Sequence, residues 1–259
     1  EIECSGSRKG VRINGDGFID KIEQVINNAE IMADIKATSL TLSITGEHIK
    51  CLNTQAAISL NYTSGITNGS RERIIKKDDI LQVLNSSQSI SLPIDRDILH
   101  TIPQEYSVDT LEEIKNPIGM TGRRLESKVH LITAASAAMN NFVSCVEELG
   151  LTVDGLVFQP IASSLSTLKK DEMELGITLV DLGYTTTSIA VYHKGSIRHS
   201  GIIPIGSKSI TNDIAVMLQI GLEESEKIKI KYASALASMS SSELNIHISN
   251  IGDEKKRSV

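Results

Sequence analysis

The stretch Leu179–Gly195 reads LVDLGYTTTSIAVYHKG. An apolar strand ends in Asp181-Leu182-Gly183, passes through Tyr184, Thr185, Thr186 and Thr187, and resumes as a second apolar strand that closes at Lys194-Gly195. The pattern predicts a β-hairpin with a hydroxyl-rich loop. A carboxylate at the end of a buried strand, followed by glycine and small hydroxyl residues, can hold a magnesium ion through its water shell. Turn N–H groups and hydroxyls then face phosphate oxygens. Turn chemistry alone explains the same residues, because Asp, Gly and Thr suit turns whether or not a ligand is bound. The surrounding sequence has to decide.

At 259 residues and 40% hydrophobic content, the chain is long enough for one large domain or two smaller ones. The net charge of −6 with scattered Lys and Arg lacks the basic footprint of a nucleic-acid binder, so nucleic acid is not an expected partner. Aromatic residues make up 3% and Trp is absent, which argues against stacking platforms for bases or sugars. Cys4, Cys51 and Cys145 are odd in number and form no Cys-x-x-Cys pair, the usage of a reducing cytosol. No apolar run approaches bilayer length.

Along the chain, Ile22, Val25, Ile26, Ala29, Met32 and Ala33 fall at helical spacing, with Asp20 placed to cap the start. Leu40, Leu42 and Ile44 alternate as in a half-buried strand that Gly46 ends. From Glu47 to about His130 the texture changes to short strand-like pieces, a helix-like run Asp78–Leu84 and loop chemistry at NYTSGITNGS. This reads as an inserted α+β subdomain. KVHLITAA is a strand running into a helix with Met139, Phe142, Val143, Val146 and Leu149, stopped by Gly150. VDGLVFQP and IASSLSTL continue the strand–helix alternation of a parallel α/β sheet. KKDEMELG, residues 169–176, reads as a polar break and a domain boundary, and helix-like runs follow at SKSITNDIAVMLQIG and LEESEKIKIKYASA.

Several motifs reduce to bland readings. RINGDGFIDKIE places Asn14, Asp16, Gly17, Ile19, Asp20 and Glu23 at the spacing of a calcium loop counted from Arg12. A cation stands at the first ligand position, so a loop ahead of a helix is the better reading. His193 and His199 flank the Gly195 turn without Cys or carboxylate partners and read as surface residues. The pairs Asp78-Asp79, Glu112-Glu113 and Glu223-Glu224 suit helix starts and solvated faces. There is no Gly-x-Ser-x-Gly elbow, Walker loop or dinucleotide fingerprint.

Four longer stretches carry a resemblance: ILHTIPQEYSVD, IKNPIGMTGRRLESKVHLITA, LGLTVDGLVFQPIASSLSTL and ELGITLVDLGYTTTSIAVYHKGSIRHSGIIPIGSKSITNDIA. Together, and collinearly over nearly the whole chain up to about Ser240, they resemble the FtsA family of bacterial actin-like cell-division proteins. The resemblance implies an α/β, actin-like (ribonuclease H-like) two-lobe fold with an inserted α+β subdomain of the SHS2/1C type. The implied layout is residues 1–46 and 133–170 for the first lobe, 47–132 for the inserted subdomain and 171–259 for part of the second lobe. It implies ATP with Mg as cofactors, and a scaffold with at most weak ATPase activity. The implied partners are FtsZ, further copies of the chain in filaments or dimers, later division proteins docking through 47–132, and the membrane through a C-terminal helix. That places the protein in the cytoplasm, peripheral on the inner face of the cell membrane at the division site. A first phosphate loop ahead of Glu1, and an adenosine loop and the membrane helix beyond Val259, are part of the same expectation.

The family's second phosphate loop, Asp-x-Gly-Gly-Gly-Thr, maps onto Asp181, Gly183, Tyr184, Thr185 and Thr186. By this resemblance Asp181 takes the magnesium or water-positioning role and Thr186 offers a hydroxyl and an N–H to phosphates. Tyr184 and Thr185 stand where glycines are usual; if either needed positive φ, the cost would be roughly 1–2 kcal/mol. Glu226 and Lys229 match a nucleoside-contacting pair, against the bland reading of a surface ion pair, and Gly206 matches a loop lining the cleft. Two alternatives stand beside this reading: an actin-like pilus-assembly protein, and an ATPase or kinase of the same superfamily.

Overall fold

A computed structural model describes residues 7–8, 11–12, 16–60, 73–239, 247–249 and 256–258. The expected loop NYTSGITNGS lies outside them. Strands β1 (Ser7–Arg8) and β2 (Val11–Arg12) pair antiparallel ahead of helix α1 (Asp16–Ala33). The helix starts four residues before the expected cap, so Asp20 lies inside it. Phe18, in the first turn of the helix, is buried edge-to-face against Phe142 at 5.8 Å. Because Asp16 to Glu23 are helical, they do not form a calcium loop.

Strand β3 (Ser39–Ile44) leads into an antiparallel region made of β4 (Lys50–Ser59), β5 (Arg73–Ile74), α2 (Lys77–Gln88), β6 (Arg96–Val108), β7 (Leu111–Ile114), β8 (Thr121–Gly122) and β9 (Arg124–Ala135). Four of these strands form one sheet in the order β4-β9-β6-β7. Helix α2 begins where Asp79 accepts the Lys76 N–H at 2.8 Å, and Asp79 also pairs with Arg73. Val83 of α2 is fully buried against Ile58, Tyr106, Val108 and Leu125 of the sheet.

Strand β9 is an inner strand of that sheet, between β4 and β6. Val129 to Ala134 are buried on both faces of the sheet, which is why this run loses the apolar/polar alternation of a one-sided strand. The face of Leu125 and Ser127 meets α2, where Ser127 and Ser87 hydroxyls lie 3.0 Å apart. The opposite face carries His130, Ile132 and Ala134. There Ile132 and Ala134 pack with Ile44, Met139 and Phe158. These come from β3, α3 (Ser136–Glu147) and β10 (Thr152–Phe158), and β10 pairs parallel with β3 as the strand–helix alternation implies.

After α4 (Gln159–Thr167), the expected polar break is a short helix, α5 (Lys170–Leu175), whose first turn is closed by Glu172 accepting the Lys169 N–H at 2.7 Å. The polarity there belongs to a solvated helix with no buried residue. Strands β11 (Ile177–Leu182), β12 (Thr187–His193) and β13 (Ser196–Ile203) pair consecutively. Lys194 and Gly195, both with positive φ, make the tight β12–β13 turn. Ala190, Tyr192 and Ile197 pack with Leu168, Met173, Ile177 and Leu179. Helices α6 (Ser207–Leu218) and α7 (Leu222–Tyr232) follow, then a short antiparallel pair, β14 (His247–Ser249) and β15 (Lys256–Ser258). The chain divides into two compact units, Glu1–Asp181 with Ser188–Ile202, and Leu182–Thr187 with Ile203–Val259. Residues 169–176 lie inside the first.

Within the first unit, a polar joint, buried at His130, Ser200 and Gln104, ties the inserted sheet to β13. Register places Asn53 of β4 opposite His130 of β9. His130 Nδ1 lies 2.6 Å from Asn53 Oδ1 and Nε2 lies 2.7 Å from the Ser200 hydroxyl of β13. The neutral imidazole satisfies both by donating to Asn53 and accepting from Ser200. Asn53 Nδ2 donates to the Arg198 carbonyl, and Gln104 Nε2 donates to the Ile197 carbonyl at 2.9 Å. Glu105 accepts from Lys128 at 2.7 Å and Arg198 at 2.8 Å, and these bonds, Lys128's first, hold its carboxyl below the ordinary range. Lys194–Glu113 and Lys115–Glu174 add exposed pairs of small individual worth.

Burial, with a smaller contribution from nearby His199, pushes His130 down to about 4. The unfolded chain takes up this proton near the ordinary value of 6.5, so stability present at pH 7 is lost as pH falls toward 4, by about 2 kcal/mol at pH 5. His48 and His100 are lowered in the same direction by burial. We expect His130→Gln to lower stability at pH 7 and to shrink the loss between pH 7 and pH 5 by about 2 kcal/mol. Urea denaturation of both proteins at the two pH values checks this.

Candidate functional site

Alternation along β11 puts Ile177, Leu179 and Asp181 on one partly buried face, so the packing of Ile177 and Leu179 orients the carboxylate. Its Oδ2 accepts from Gln159 Nε2 at 3.0 Å and from the Ser163 hydroxyl at 3.1 Å. Gln159 and Ser163 are one helical turn apart on α4, and both were missed in the sequence. The available signal was their i, i+4 spacing in QPIAS directly after the strand VDGLVF. Among the described residues no three His, Cys, Asp or Glu side chains are grouped to ligate a metal. An inner-sphere cage needs several such ligands, and Asp181 is a single carboxylate.

The loop 183–186, in the second unit, is closed by the Gly183 N–H donating to the Thr186 carbonyl at 3.0 Å. Thr186 is buried, Thr185 half-buried and Tyr184 54% exposed. Neither Tyr184 nor Thr185 has positive φ, so their departure from glycine carries no left-handed backbone cost. Glycine matters instead at Gly206. A Cβ there would lie 2.5 Å from the Tyr184 carbonyl oxygen and 2.6 Å from that of Gly183. With φ of −144°, the residue is glycine for space. That close approach lets the first two amides of α6 reach the loop: Ser207 N–H donates to the Gly183 carbonyl at 3.0 Å, and Lys208 N–H to the Tyr184 carbonyl at 2.8 Å. Thr187 adds a bond from its hydroxyl to the Ile205 carbonyl.

Glu226 and Lys229 do share one face of α7, with 2.7 Å between them. They are more than a surface pair. Both bond the hydroxyl of Thr211, which is buried on α6, and Lys229 also reaches the Ser207 carbonyl at 3.3 Å. The bonds from Lys229 and then Thr211 lower the Glu226 pKa. Lys229 Nζ further sits 5.9 Å from the Tyr184 ring centroid. The second unit thus brings Gly183, Tyr184, Gly206, Lys229 and, through Lys229, Glu226 into one cluster. Thr211 and Lys208 are members that the sequence did not single out.

The fold is of the actin-like class. A solved structure titled as a PilM-PilN type IV pilus biogenesis complex superposes with a TM-score of 0.60 at 14% identity, covering 89% of this chain and 60% of that one. Two family models match: the SHS2 domain inserted in FTSA over residues 46–133, and cell division protein FtsA over residues 178–259. Curated cell division proteins FtsA from Pseudomonas aeruginosa and Escherichia coli strain K12 are 38% and 35% identical over 252 and 254 residues. These cover 97% and 98% of this chain. The chain belongs to the FtsA family. It spans 58% of the length of each of those two relatives.

We expect Gly206→Ala to force the loop and α6 apart at a cost of about 1–3 kcal/mol. Gly17→Ala, with open space around it in α1, should be neutral or stabilising. Thermal denaturation of the two variants checks the contrast.

Proposed function

We propose that this chain is part of an ATP-binding, actin-like scaffold of bacterial cell division. ATP phosphates meet the loop 183–186, Asp181 orients a hydrated magnesium ion, and Glu226 with Lys229 frames the nucleoside side. In this reading nucleotide sets a conformational equilibrium that governs assembly into filaments or dimers, and fast turnover is not needed. The scaffold tethers the FtsZ ring to the inner face of the cell membrane at the division site. It recruits later division proteins through residues 47–132, and membrane attachment runs through a C-terminal amphipathic helix beyond Val259. No helix among the described residues is long and apolar enough to cross a membrane.

The observation that carries the reading is the unstrained loop 183–186, pinned by α6 through Gly206, in a chain 38% identical to a division protein. The pilus-assembly alternative has a shared fold at 14% identity behind it, which is a likeness of architecture only. An enzyme of the superfamily has no separate support from the site.

The intact protein should co-sediment with FtsZ on anionic liposomes; absence of co-sedimentation with ATP, with ADP and without nucleotide would sink the division-scaffold role. Asp181→Ala should weaken ATP affinity about tenfold or more, the scale of a lost charge-assisted contact. Unchanged affinity in a titration with Mg present would remove the role given to this carboxylate.

A further inference from the structure

We propose that Lys208 is the residue that grips the ligand's phosphate at this loop, with the Tyr184 ring as the platform that holds its ammonium in place. The proposal rests on the nucleotide reading of the loop and adds a residue to it.

The inference follows from which positive groups near the loop still have a free donor. The leading amides of α6 do not: Ser207, Lys208 and Ser209 N–H groups donate to the carbonyls of Gly183, Tyr184 and Gly206. An anion therefore cannot use the start of this helix in the usual way. Lys229 is no better placed. An ammonium has three donors, and those of Lys229 reach Ser207 O at 3.3 Å, Thr211 Oγ1 at 2.9 Å and Glu226 Oε2 at 2.7 Å. Its charge is matched by Glu226, and its side chain is 12% exposed. Lys229 buttresses α6 against α7.

Lys208 differs on each count. It is exposed, and among the described residues its Nζ has no hydrogen bond or ion pair. Among the described residues its ammonium instead meets the Tyr184 ring, 5.6 Å from Nζ to the centroid. Its backbone is fixed to the same residue by the 2.8 Å bond from Lys208 N–H to the Tyr184 carbonyl. Backbone and ring together keep a cation with unoccupied donors beside Tyr184, the second residue of the loop 183–186. A ring face attracts a cation without using its N–H groups, so all three remain for phosphate oxygens. Tyr184 is then no obstruction to an anion but the support for the charge that meets it.

The test is titration of ATP with Mg, and separately of adenosine, into the intact protein and the variants Lys208→Gln, Lys208→Arg, Tyr184→Leu, Tyr184→Phe and Lys227→Gln. We expect Lys208→Gln to weaken ATP about tenfold or more and leave adenosine within twofold, since only phosphate meets the ammonium. Lys208→Arg and Tyr184→Phe should stay within about threefold of the parent, and Tyr184→Leu should weaken ATP severalfold. Lys227→Gln, a surface lysine paired with Glu223, should change nothing. ATP binding of parental strength in Lys208→Gln overturns the role of Lys208 and leaves the nucleotide reading standing. Equal losses for ATP and adenosine overturn it too, by showing a structural effect. No ATP binding by the parent protein overturns the nucleotide reading and this inference together.

Discussion

The first unit depends on one imidazole. His130 stands in the middle of the strand that both cores share, with no exposure to solvent, and each of its ring nitrogens is committed to a different strand. A buried polar group with its partners in place fixes a single arrangement, and the same group with one partner missing costs roughly 1–3 kcal/mol. The strands β11, β12 and β13 are therefore seated on the inserted sheet by direction-specific bonds as well as by apolar packing. A slip of β13 by one residue would turn Ser200 away from His130 and expose Ile197. That seating fixes the strand from which Asp181 projects.

How much of this could be read from residues alone varied with the range of the interaction. The alternation of SLTLSI, the run KVHLITAA into its helix and the turn at Lys194-Gly195 are local patterns, and each element forms where local physics puts it. The joint around His130 was invisible for the opposite reason. Its partners Asn53 and Ser200 are 77 and 70 residues away in sequence, and a histidine inside an apolar strand carries no sign of which distant hydroxyl will satisfy it. The start of α1 was misplaced because Gly17 argues against a helix locally, whereas burial of Phe18 on Phe142 is a tertiary gain that outweighs the propensity. The helix within the polar break at 169–176 was not legible because its polarity was weighed without its cap, the Glu172 carboxylate on the Lys169 amide.

The candidate site shows the same division. Asp181 and the loop after it stood out by residue type, and family membership gave them a place in an actin-like fold. Their supports did not stand out: Gln159 and Ser163 behind the carboxylate, Thr211 beneath Glu226 and Lys229. Tyr184 and Thr185 drew attention as departures from glycine, and the backbone resolves that concern because both residues have ordinary φ. The tight position is Gly206, where the obstacle to any side chain is a pair of carbonyl oxygens. Space around a residue, unlike its conformational preference, is set by the element that packs on it.

The central claim is that loop 183–186 holds nucleotide phosphate. The most direct measurement is a crystal structure of the intact protein grown with magnesium and a non-hydrolysable ATP analogue. The account predicts phosphate oxygens within hydrogen-bonding reach of the 183–186 loop, with that loop keeping its bonds to the start of α6. A nucleotide bound with no phosphate oxygen in reach of those residues would contradict it.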